Sequence, residues 1–152
     1  MIDHAKTGFS RFARTRARRS VVQAYYQWLL NQQSISDVIK EFEEERIELK
    51  KADNDYFQTL LRGMIKQGEE IDTILAPILD RPVSELDPIE KSILHLGIYE
   101  LLYQPEFPWR AVINESVELA RMFGAEESHK YINGVMDKLA HSIRATEIAA
   151  SG

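Results

Sequence analysis

The 152-residue chain contains no cysteine. Disulfides, zinc ribbons and thiol nucleophiles are therefore excluded, and the composition fits a reducing compartment such as the cytoplasm. No run approaches the roughly 18 consecutive apolar residues of a membrane span. The start, MIDHAKTGFSRFARTRARR, places no apolar core behind its charges and so does not read as a secretory signal. Catalytic constellations are missing too. His4, His95, His129 and His141 lack metal-ligand spacing, and the chain has no P-loop, Gly-rich nucleotide fingerprint or nucleophile elbow. A soluble, cytoplasmic, non-enzymatic protein without cofactor is the expectation. At this length it reads as one domain burying roughly two thirds of its unfolded surface.

What is present is polarised. Residues 1–19 hold Lys6, Arg11, Arg14, Arg16, Arg18 and Arg19 against Asp3, a net of +5; the rest hold 13 basic and 23 acidic side chains, a net of −10. A basic end on an acidic protein suits a nucleic-acid backbone, and the acidic remainder suits a second, basic partner. Ala17, Val21, Ala24, Tyr25 and Trp28 mark an amphipathic helix over about residues 11–31, which puts the arginines in its first turns. Cations there oppose the helix dipole by a few tenths of a kcal/mol each, and a bound phosphate reverses that sign. A solvated or disordered basic leader is the plainer alternative for this arginine-rich start, of which residues 1–11 lie ahead of the helical domain.

Almost everything else is helical in pattern. A second helix from Ser36 buries Val38, Ile39 and Phe42 and carries an acidic outer face. A third, from Asp53 or Asn54, places Tyr56, Phe57, Leu60, Leu61, Met64 and Ile65 at core spacing. A fourth follows from Ile71, interrupted by Pro77, and residues 80–87 are the best candidate for a seam between two helical halves. Asp87-Pro88-Ile89-Glu90 is the clearest helix start, and the helix behind it is apolar nearly all round, hence central. Glu100 on that helix needs a partner if buried; a structural bond, with an arginine of the first helix as one candidate, is expected. Two further helices follow, the first ending at Gly124 in an expected left-handed cap. Residues 145–152 read as a frayed tail. The expected fold is all-α, one compact domain of about seven helices over residues 12–144.

The last of these helices carries Lys130, Tyr131, Gly134 and Lys138 on an arc that reaches the surface. Glycine in a helix interior costs about 1 kcal/mol relative to alanine. Close approach of another helix, or of a phosphate or ribose, explains why it is there. Tyr131 either stacks on a base or packs at the core edge.

Three blocks in order resemble the NusB family of bacterial transcription antitermination factors. They are Ala13-Arg14-Thr15-Arg16-Ala17-Arg18 followed by Val22-Gln23-Ala24-Tyr25-Tyr26-Gln27-Trp28; Glu90-Lys91-Ser92-Ile93-Leu94 with Ile98-Tyr99-Glu100-Leu101; and Val112-Ile113-Asn114-Glu115 through Phe123-Gly124 to Ser128-His129-Lys130-Tyr131-Ile132-Asn133-Gly134. The resemblance implies two small helical bundles, no enzymatic activity and no cofactor. It also implies binding of single-stranded boxA RNA of ribosomal RNA leader transcripts, together with the ribosomal protein NusE, within the RNA polymerase antitermination complex. Carried over by position, Arg14, Arg16, Arg18, Lys130 and Tyr131 become the RNA-binding residues and Glu90 a NusE-facing residue. Thr15 stands where the family often has another arginine, and Tyr131 where it commonly has phenylalanine. Two other readings are a protein-interaction module and a stand-alone relative of the N-terminal domain of ribosomal RNA cytosine methyltransferases.

Overall fold

The computed structural model describes residues 4–45, 49 and 51–151, with side chains described from residue 12 onward. Every regular element among them is helical. The chain divides into two compact units, residues 1–63 and 64–152. The boundary falls inside a helix, not at the 80–87 seam expected from the proline-bearing stretch. That stretch instead connects two helices within the second unit.

The first unit contains α1 (His4–Asn31), α2 (Ile35–Glu45) and most of α3 (Asn54–Lys66). Helix α1 buries Ala13, Ala17, Val21, Val22, Ala24 and Tyr25, the stripe that the sequence periodicity requires. It begins at His4 rather than near residue 11, so Arg14, Arg16 and Arg18 lie well inside it. The dipole argument made for them, which holds only within a first turn, does not apply. The side chains of Lys6 and Arg11 lie outside the described residues. Gln32 takes a left-handed conformation (φ 53°) to leave the helix, and Ser34 Oγ accepts the Asp37 N–H at 3.1 Å to start α2. Asp53 Oδ1 likewise accepts the Tyr56 N–H at 3.1 Å at the start of α3. Phe42 of α2 stacks on Phe57 of α3 with ring centroids 6.0 Å apart.

The second unit opens with α4 (Gly68–Leu75), which buries Ile71 and Leu75 before Pro77 tightens the chain into a 3₁₀ turn at Ala76–Ile78; a second turn follows at Val83–Glu85. Asp87 then caps α5 (Pro88–Tyr103), accepting the Ile89 and Glu90 N–H groups at 3.1 and 3.2 Å. Every residue of α5 from Ser92 to Leu101 is buried, as expected of a central helix. Helices α6 (Trp109–Phe123) and α7 (Ser128–Ile143) pack against it and against each other. Gly97 permits the approach: a Cβ there would lie 2.6 Å from Met136 Cε of α7 and 2.9 Å from Ser116 Oγ of α6. Gly124 ends α6 in extended backbone, not the left-handed cap expected.

The tail is a helix rather than a frayed end. Helix α8 (Ala145–Ser151) is anchored through Glu147, which accepts from Arg144 Nη1 at 2.5 Å and from the Trp109 N–H at 3.0 Å. The buried Arg144 also donates to the carbonyls of Leu101, Phe107 and Gln104 at 2.7, 2.9 and 3.1 Å. It thus satisfies carbonyl groups where α5 ends, as the C-terminus of a helix demands.

Candidate nucleic-acid interface

Each group of expected contact residues is held by its own element. On α1, Arg14 stands with its guanidinium carbon 5.1 Å from the centroid of Tyr56 and its Nε 3.7 Å from Asp53 Oδ2. Arg16 donates through Nε to the Lys51 carbonyl at 3.1 Å, leaving it half-buried. Arg18 is different. Only 6% exposed, it sits 5.5 Å from the Tyr56 ring and donates to the Tyr56 hydroxyl at 3.5 Å. Its guanidinium belongs to the packing of the first unit. That packing sets it apart from Arg14 and Arg16, the other two arginines expected to contact RNA. Phe12, 70% exposed, adds an aromatic surface one helical turn before Arg16.

On α7 the arc of Lys130, Tyr131, Gly134 and Lys138 lines a groove of about 290 Å³. Val135, Ile78 and Asp80 complete its lining. Gly134 is exposed, and a Cβ built on it would meet no atom within 4 Å. Helix packing within this unit therefore does not account for the glycine. Lys130 is exposed and pairs with Glu127 at 2.9 Å, a surface contact that a phosphate displaces at little cost. Tyr131 is half-buried, and its hydroxyl is enclosed without a hydrogen-bond partner among the described residues. Burial pushes that hydroxyl's pKa up, against the opposing pull of the Arg81 charge.

Arg81 was not singled out by the sequence, yet its guanidinium carbon lies 4.9 Å from the Tyr131 ring centroid, and its Nε donates to Asp80 Oδ1 at 3.0 Å. An acid and a base side by side in an irregular connection have no periodic signature. Only the structure brings Asp80 to the groove and Arg81 to the Tyr131 ring. Glu90, in the first turn of α5, accepts the Ser128 hydroxyl at 2.8 Å and so ties the start of α5 to the first residue of α7.

The arrangement offers cations, a partly exposed aromatic ring and an unobstructed stretch of backbone, the components of a single-stranded nucleic-acid platform. Among the described residues no cluster of side chains could hold a metal ion, and no helix is long and apolar enough to cross a membrane.

A family model described as the NusB family matches residues 15–141. The chain belongs to the NusB family. Its similarity to curated relatives is extensive. The transcription antitermination protein NusB of Thiobacillus denitrificans is 48% identical over 132 residues, covering 87% of this chain and 90% of that protein. The NusB of Pasteurella multocida is 49% identical over 127 residues, covering 84% and 88%. Among solved structures, T. maritima NusB superposes with a TM-score of 0.75 at 26% identity, covering 83% of this chain and 89% of that one. A crystal structure of the antitermination factors NusB and NusE in complex with double-stranded RNA gives a TM-score of 0.76 at 27% identity, covering 86% and 97%. The all-helical NusB fold expected from the sequence blocks is the fold observed.

Proposed function

We propose that this chain is a transcription antitermination factor that binds single-stranded boxA RNA of ribosomal RNA leader transcripts together with NusE, and acts within the RNA polymerase antitermination complex. The observation that carries the RNA part is the groove over Gly134. There a helix-interior glycine with no packing role lies between Lys130, Tyr131 and Lys138. Family membership and the likeness to the NusB–NusE–RNA complex support the same reading.

In this mechanism Arg14 and Arg16 neutralise phosphates, Lys130 fixes the register, and a base stacks on Tyr131. Sequence choice rests on bases splayed out of a single strand. Glu90 contributes to the NusE-facing surface, an acidic group meeting a basic ribosomal protein. No chemical step is involved, and the site of action is the cytoplasm, where transcripts are made.

Fluorescence anisotropy with labelled boxA RNA, a scrambled strand and a duplex, with and without equimolar NusE and at two salt concentrations, tests this. Selective binding to the single strand that tightens with NusE is expected. Equal or absent binding to all three RNAs, with or without NusE, would instead favour a protein-interaction module.

A further inference from the structure

Resting on the RNA-binding reading above, we infer that Arg81, braced by Asp80, is a further RNA-contact residue that walls the nucleotide slot over Gly134 from the side opposite α7. Three observations converge on it. Its guanidinium stands over the Tyr131 ring at 4.9 Å, the ring on which a base is to stack. Its side chain is 42% exposed and so is accessible to solvent and to a phosphate. Asp80, which lines the groove beside Tyr131, accepts from its Nε at 3.0 Å, leaving the two terminal nitrogens of the fork for other acceptors.

The chemistry follows from guanidinium geometry. Arginine can lie flat on an aromatic ring and donate in its own plane to a phosphate at the same time, which a lysine ammonium cannot. Asp80 restrains the side chain by one bond on Nε, so less rotamer freedom is lost when the fork meets its anion. The connection between α4 and α5 thereby takes part in the site. A nucleotide entering the groove then meets both elements, its base at the ring that α7 supplies and its phosphate at the cation that the connection supplies.

The test is anisotropy of labelled boxA RNA with the full chain and NusE across a salt series, comparing the unmodified protein with Arg81→Ala, Arg81→Lys and Asp80→Asn, with thermal unfolding of each. Arg81→Ala should weaken binding about ten-fold, the scale of one charged hydrogen bond. It should also flatten the dependence of log affinity on log salt by about 0.7, the value of one single-strand phosphate contact. Arg81→Lys should keep the slope but recover only part of the affinity, and Asp80→Asn should keep the slope. The melting temperature should stay put in all three. Unchanged affinity and slope in Arg81→Ala overturn the assignment, and tighter binding overturns it too, by showing that Arg81 covers the ring against RNA. Failure of the unmodified protein to bind any RNA would remove the function proposed above, and this inference with it; binding by the unmodified protein with an indifferent Arg81→Ala removes this inference alone.

Discussion

Tyr131 carries a hydroxyl that its surroundings do not use. It is enclosed, finds no hydrogen-bond partner among the described residues, and has its pKa raised by burial. An unsatisfied buried polar group costs about 1–3 kcal/mol, so Tyr131→Phe should leave stability unchanged or raise it by about 1 kcal/mol. Urea unfolding checks this, and a lower midpoint would mean that the hydroxyl is bonded after all. Stacking needs the ring and not the hydroxyl, so RNA affinity should survive Tyr131→Phe. It should fall by about 1–3 kcal/mol in Tyr131→Ala, the range for a lost base stack. Arg18 makes the opposite case. Although it sits in the basic run, its burial against Tyr56 makes Arg18→Ala a stability variant. The melting temperature should fall while the salt slope of RNA binding stays unchanged, whereas Arg14→Ala should flatten that slope by about 0.7. The basic run was legible in the sequence. Which of its members faces solvent was not, because Arg18 shares a helical face with Val21, Val22 and Tyr25 in a way that charge counting does not register.

Among the helices, two glycines on interior turns of α5 and α7 separate packing from function. Gly97 lies between α6 and α7, where an added methyl collides with Met136 and Ser116. The overpacking cost of about 1–3 kcal/mol exceeds the roughly 1 kcal/mol that alanine gains in a helix, so Gly97→Ala should destabilise the protein. Gly134 has open space around its Cα. Gly134→Ala should therefore stabilise by about 1 kcal/mol while weakening RNA binding, because the methyl projects into the groove. A stabilised variant with undiminished RNA affinity would show that nothing approaches the helix there. The link between α4 and α5 sets the response to acid. Burial disfavours the charged form of Asp72, yet the hydrogen bond from His95 at 2.7 Å and the charges of His95 and Lys91 outweigh it, holding the carboxyl below its ordinary 3.8. A carboxyl with a depressed pKa stabilises the fold above its unfolded value, and that contribution is lost as pH falls through the folded value. Urea titrations should therefore show the largest deficit for Asp72→Asn near neutrality, closing below pH 3.8. Element starts such as Asp87-Pro88 were readable from sequence because capping and φ restriction act locally. Helix α8 was not, since its seven residues are mostly small and its anchor Glu147 is held by the distant Trp109 N–H as well as by the preceding Arg144. Nor was the division into units, because the apolar period of α3 runs unbroken across it.

At the scale of the whole molecule, opposite charges are separated along the chain, with +5 in the first 19 residues and −10 in the remainder. An acidic body repels a polyanion, so RNA binding by the protein alone should be weak and should strengthen when a basic partner covers acidic surface. The structure adds a short mechanical link to that electrostatic one. Glu90, on the proposed NusE-facing surface, is bonded at 2.8 Å to Ser128, and Ser128 opens the helix that carries Lys130, Tyr131 and Gly134 two to six residues later. A partner that fixes Glu90 thereby also fixes the start of the helix proposed to bind RNA, and by linkage RNA should improve NusE binding by the same factor. Ser128→Ala removes the link and keeps every proposed contact residue for both partners. Titrating boxA RNA against this variant with and without NusE should give near-normal binding in the absence of NusE and a smaller tightening in its presence. The reciprocal titration of NusE should lose the same factor. If the tightening is unchanged in both directions, the coupling runs through shared RNA contacts on NusE itself and not through the Glu90–Ser128 bond.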